Sequence, residues 1–225
     1  MQDILAPDGG PIYAETDLSV FISEPWNALS SLAIALPSIY WAIKLKWNFK
    51  DFKFLYFLFP LLFLGGMGSV FFHAFRASSW MLMLDIYPTA IVTLSVGIYF
   101  WSKVLPKWWH VLLVILPLTY LRLHLFDILP YSLALNIGYF ITGSLIFLPL
   151  IIFLFKKEFE HYQPILISVL CLSVSLIFRR IDFTIAEFIP IGSHFLWHIL
   201  SGIGAFYIAE YLYLLRLDEI KTKAS

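Results

Sequence analysis

The sequence predicts an all-α polytopic membrane protein, a bundle of seven transmembrane helices, on three observations. Of its 225 residues 60% are hydrophobic and only 13% are charged. An ordinary soluble domain has roughly 25% charged residues, so this chain cannot cover a surface with polar groups. Its mean hydropathy is +0.84. Apolar runs of about 18–20 residues recur along the whole chain, each able to cross about 30 Å of hydrocarbon as a helix.

The spans read, in order, as 25–43, 54–75, 81–101, 108–123, 131–155, 164–186 and 194–215. The first carries Pro37 and is followed by Lys44, Lys46, Lys50 and Lys53. The second contains Pro60 and then Gly65, Gly66 and Gly68, which favour close helix packing. Pro88, Pro117 and Pro149 fall in the third, fourth and fifth spans, where membrane helices tolerate proline. The sixth holds Cys171 and the charged group Arg179, Arg180 and Asp182, and the seventh opens on His194. A single cysteine forms no intramolecular disulfide.

Short loops make successive helices antiparallel neighbours, and an odd number of crossings puts the termini on opposite sides. Every lysine (the four named above with Lys103, Lys107, Lys156, Lys157, Lys221 and Lys223) lies, with Arg216, in an odd-numbered loop or the C-terminal tail. Arg76 and Arg122 lie on the other face. The positive-inside rule then makes the C-terminus cytosolic and the N-terminus extracytoplasmic. Residues 1–24 are acidic and lack the basic start and short apolar core of a cleavable signal, so the first span is the expected insertion signal. The expected organisation is an extracytoplasmic tail over 1–24, a transmembrane catalytic domain over 25–215 and a cytosolic tail over 216–225. A formal charge of zero gives no sign of a nucleic-acid partner.

Polar residues recur at one-turn spacing inside two of these helices: Ser69 with His73, and His194 with His198. Side chains four apart share one helix face. Two imidazoles on one face of a transmembrane helix are costly unless they bind something. The orientation above puts His73 near the outer end of the second span and Asp85 about one turn into the third. His194 and His198 fall in the first turns of the seventh, so four residues distant in sequence share one depth. Three histidines without a nearby cysteine suit zinc better than iron–sulfur, cuprous copper, magnesium or calcium. His110, His124 and His161 lie near predicted boundaries or in loops and read as interfacial, with His124 the one substitute ligand.

Zinc on three histidines keeps its fourth position open, and water bound there ionises near a pKa of about 7. Asp85 is placed to take that proton as general base and deliver it to a leaving amine. Ser69, which alone would simply bond its own helix backbone, can here donate to an oxyanion. Together these residues describe hydrolysis of an acyl bond, with an apolar cavity for a lipid chain. A lipid receptor or scaffold with structural zinc is the alternative from another class, and a closed four-ligand site would favour it. An odd helix number and no evident internal repeat speak against a transporter.

Four segments carry a family resemblance: Glu24-Pro-Trp-Asn27 followed by Ser30, Gly66-Met-Gly-Ser69 leading to His73, Asp85-Ile-Tyr-Pro88, and His194-Phe-Leu-Trp-His198-Ile-Leu-Ser-Gly202. In this order the chain resembles the alkaline ceramidases, within a superfamily of seven-helix membrane hydrolases that includes the adiponectin and progestin receptors. The resemblance implies that His73, His194 and His198 bind zinc, that Asp85 assists the water and that Ser69 steadies the transition state. It further implies cleavage of ceramide to a sphingoid base and a fatty acid; a hydrolase of a different N-acyl lipid is the enzymatic alternative.

The tail acids Glu15, Asp17 and Glu24 either avoid the lysine-rich face or hold calcium, since hard oxygens suit that ion. The resemblance implies the second, with Tyr13 offering a carbonyl, although Ile12 stands where the family often has an aspartate. Arg179, Arg180 and Asp182 either neutralise one another or line the entrance for the head group. The paired arginines depart from the eukaryotic enzymes, where that stretch is neutral.

Overall fold

The computed structural model describes residues 6–224, so 1–5 of the expected tail and Ser225 lie outside it. Its elements are α1 (Pro25–Lys44), α2 (Lys53–Phe75), α3 (Ser79–Val104), α4 (Trp108–Ile128), α5 (Tyr131–Lys156), α6 (Tyr162–Arg180), α7 (Asp182–Ile185) and α8 (His194–Ala224). Six of them, α2 to α6 and α8, are long and apolar enough to cross a membrane. The chain is an all-α, multi-pass membrane protein by that measure.

The first expected crossing is the one that falls short. The 20 residues of α1 would cover about 30 Å, so length is not what it lacks. Asn27, Ser30, Ser31, Ser38 and two prolines dilute its hydropathy. These polar residues turn inward: Asn27, Ser31 and Ser38 are buried, while Trp26, Leu29, Leu36, Ile39 and Ile43 are exposed. A polar interior and an apolar exterior invert the pattern of a water-soluble helix.

Two other boundaries differ from expectation. The span expected over 164–186 is broken, because α6 stops at Arg180 and the single turn α7 follows. Arg179 and Arg180 therefore end a helix, where cations suit the carbonyl end of the dipole. The last helix runs to Ala224, so the tail expected after residue 215 is largely helical.

The chain forms two compact units. Residues 90–160 make one, in which α4 and α5 pack around Trp101, Val111, Ile115, Leu125, Ala134, Ile141 and Leu145. The other takes the described residues up to Thr89 and those from His161 onward. There α1 packs against both α2 and α8, and α6 packs against α8. The close approach of α8 to α1 depends on Gly202, whose added Cβ would collide with the Ala33 carbonyl.

Gly202→Val should therefore cost about 1–3 kcal/mol through overpacking, read as a lower unfolding midpoint in detergent. Gly143→Ala in α5, where a Cβ meets open space, should hold or raise the midpoint, since alanine favours helix.

Candidate metal centre

The second unit gathers the three histidines. His73 comes from the last turn of α2, and His194 and His198 from the first turns of α8. All three are buried, with ligand nitrogens within 4.8 Å of one another. Each ring is fixed by a different partner. Nδ1 of His73 is bonded to the Glu24 carboxylate, and Nδ1 of His198 lies 2.9 Å from Ser30 Oγ and 3.3 Å from Ser31 Oγ. The ring of His194 stacks on Tyr13 at 3.7 Å and 15°. Its Nδ1 is buried with no hydrogen-bond partner among the described residues.

These contacts fit a metal ion. Engagement of Nδ1 leaves Nε2 of His73 and His198 for an ion, and a carboxylate behind an imidazole raises its basicity as a ligand. A buried ring nitrogen without a partner is expensive, and coordination would satisfy it. Three imidazoles are a donor set able to hold one metal ion.

Ser69 and Asp85 join this group. Ser69 is buried one turn before His73 and accepts a hydrogen bond from Ser31 Oγ at 3.0 Å. The half-buried Asp85 carboxylate stands close enough to feel the Ser69 hydroxyl, whose own proton remains for an acceptor. Gly68 makes the approach of α3 possible, since its added Cβ would sit 2.5 Å from the Leu84 carbonyl and 2.7 Å from the Asp85 nitrogen. The glycine noted for packing thus also sets where the carboxylate stands.

The tail acids are arranged differently from the calcium expectation. Both oxygens of Glu15 accept backbone N–H bonds at the start of α1, from Trp26 at 2.6 Å and Asn27 at 2.9 Å. Asp17 is exposed and holds Ser19. Glu24 is fully buried, accepting from His73 and Asn27 on one oxygen and from Thr16 and Arg76 on the other. Among the described residues the side chains of Glu15, Asp17 and Glu24 are not grouped at metal-ligand distance of one another. The cation beside Glu24 is a guanidinium: Arg76 also grips Asp8 through two bonds, at 2.7 and 3.0 Å, and the Pro11 carbonyl at 3.0 Å.

Burial alone would raise the Glu24 carboxyl, but the bonds from His73 and Thr16 and the charge of Arg76 hold it below its ordinary value. Asp8 behaves alike: burial pushes it up, and the bonds from Arg76 and the Gly10 N–H outweigh that. Glu15 goes the other way, since its burial outweighs the two N–H bonds.

Asp182 has a role that charge pattern did not reveal. One oxygen accepts the N–H groups of Ser193 and His194 at 2.7 and 2.8 Å, and the other accepts that of Ala14 at 2.8 Å. It therefore caps α8 and ties the tail to it. The other histidines are occupied elsewhere: His124 is exposed and bonded to Asp127 at 2.8 Å, and His161 meets Asp218 at 2.8 Å. No protein-family model matches the chain, and no curated protein is significantly similar to it.

Arg76→Ala should cost about 3–5 kcal/mol, because it leaves two buried carboxylates without their cation. Stability should also depend on acid. Groups held below their ordinary value stabilise the fold above that value, about 4, and lose the contribution as pH falls through the lower folded value. Unfolding midpoints measured from pH 7 to pH 3 should drop at the acid end, and by less in Arg76→Ala.

Proposed function

We propose that this protein is a zinc-dependent hydrolase of lipid amide bonds, working within the membrane. The supporting observation is the buried group of three imidazoles, with Ser69 and Asp85 beside it. Zinc held there supplies a Lewis acid and water that ionises near neutral pH. Asp85 accepts the proton as the water oxygen bonds the acyl carbon. The C–N bond then breaks, and Asp85 returns the proton to the departing nitrogen, giving an amine and a fatty acid. Ser69 turns its proton from Asp85 to the acyl oxygen as negative charge builds there. An amide suits this arrangement because its nitrogen leaves only when protonated.

Ceramide is the substrate that the resemblance to alkaline ceramidases implies. The inward polar face of α1 supports counting it as a seventh crossing. The lysine distribution supports an extracytoplasmic N-terminus and metal centre, with the C-terminus cytosolic.

Purified protein is incubated with ceramides and other N-acyl lipids, with released fatty acid followed by mass spectrometry and metal by elemental analysis. About one zinc per chain is expected, as three imidazoles require, and His198→Ala should lose both zinc and release. Asp85→Asn should keep the metal and slow release about 10²–10⁴-fold, and Ser69→Ala about 10²–10³-fold. Release indifferent to His198→Ala and Asp85→Asn would sink the proposal. So would zinc-loaded protein that cleaves no N-acyl lipid, an outcome pointing to a receptor.

A further inference from the structure

We propose that residues 18–22 of the tail form an interfacial anchor, a non-helical loop whose apolar side chains dip into the lipid leaflet at the His73 end of α2. The segment reads Leu-Ser-Val-Phe-Ile. Exposed turns ordinarily draw on Gly, Pro, Asn, Asp and Ser. Here Phe21 is 82% exposed, and Leu18, Val20 and Ile22 are about half exposed. Large apolar side chains presented together in this way mark a surface meant for contact and not for water.

The loop is built to present them. The N–H of Asp17 donates to the Ser23 carbonyl at 3.0 Å, which closes the loop on itself. The Ser23 N–H donates to the Ala74 carbonyl at 2.8 Å and ties the loop to the end of α2. The Asp17 carboxylate accepts both the N–H and the hydroxyl of Ser19, at 2.9 and 2.6 Å. These polar groups engage one another, and the apolar side chains are left facing outward. Irregular backbone exposed to lipid is not tolerated in the hydrocarbon region of a bilayer. The loop backbone therefore stays at the head groups, and only its side chains enter the acyl region.

What covers the loop follows from its neighbours. Phe21 meets Phe75 edge-on at 5.4 Å, and Phe75 is stacked with Phe71 at 6.4 Å. Both partners belong to α2, a helix long and apolar enough to cross a membrane, and Phe71 is exposed. The loop thus continues the apolar outer surface of a membrane helix. Trp26 and Trp80 are exposed at the starts of α1 and α3, the same end of this unit, since α1 begins just after the loop and α3 follows α2. Exposed tryptophans gather where hydrocarbon meets head groups, and they set the loop at that level. Glu24, bonded to His73, follows the loop by two residues, so the anchor also holds the metal centre near the head groups.

Single nitroxide labels on the full chain in liposomes test this. Cys171 is the one cysteine of the sequence, so Cys171→Ser gives a background for Val20→Cys, Phe21→Cys and Ile22→Cys. Lys50→Cys, in the exposed loop before α2, supplies the water reference, and Leu64→Cys, exposed halfway along α2, the hydrocarbon reference. Collision with oxygen, which concentrates in lipid, is compared with collision with a nickel chelate, which stays in water. The Phe21 label should favour oxygen and read about 5–10 Å below the phosphates, the depth of an interfacial segment. Nickel accessibility equal to that at Lys50 overturns the inference. So does shielding from both reagents, the sign that a second protein surface covers the loop. Hydroxyl-radical footprinting of the wild-type chain in lipid nanodiscs repeats the test without substitutions. Phe21 should escape modification there as Leu64 does, and ready oxidation of Phe21 again overturns the inference.

Discussion

The carboxylate of Glu24 holds the polar end of the second unit together. It is fully buried, which for a lone charge would be prohibitive. Its position is tenable because four donors from three directions reach it: Thr16 in the tail, Asn27 in α1, and His73 and Arg76 at the end of α2. The same bonds have consequences outward and inward. Outward, Arg76 carries the network to Asp8 and Pro11 and so fastens the tail. Inward, the bond to His73 fixes which nitrogen that ring presents to a metal. One carboxylate thus links the fold of the tail to the geometry of the site.

Helix α1 is shaped by the same demand. A helix that carries partners for Glu24, Ser69 and His198 needs Asn27, Ser30 and Ser31 on its inner face, so it surrenders hydropathy there. Its outer face keeps Trp26, Leu29, Leu36, Ile39 and Ile43 exposed. Helix α1 is not among the helices apolar enough to cross a membrane by composition, yet its residues are sorted by side. The polarity is a property of what α1 serves, since Ser31 alone contacts Asn27, Ser69 and His198.

The helical class and most helix limits were legible in the sequence because they depend on composition and on runs of apolar residues. The histidine pair was legible because four-residue spacing is a local geometric fact. His73, Ser69 and Asp85 could be added from topology, which compares depth without needing contacts. What stayed hidden depends on long-range pairing. Glu24 lies 49 residues from His73, and no local rule separates a carboxylate that steadies an imidazole from one that binds calcium. Asp182 looked like a partner for adjacent arginines, whereas α8 recruits it across a loop to cap its first residues.

The ring contacts also bear on how a metal would be bound. In small zinc modules the ion organises its ligands and supplies much of the folding free energy. Here each imidazole has its own support: Glu24 behind His73, Ser30 and Ser31 beside His198, and Tyr13 stacked on His194 with Asp182 holding its backbone. These supports come from the tail, from α1 and from the loop before α8, so they form as those elements pack. A site oriented in this way loses little conformational freedom when it takes up an ion, and more of the coordination energy appears as affinity. It also fixes Ser69 relative to the imidazoles, because Ser31 contacts both His198 and Ser69. For the hydrolase proposed above, groups held by packing would need no rearrangement as charge develops, which is what electrostatic stabilisation of a transition state requires.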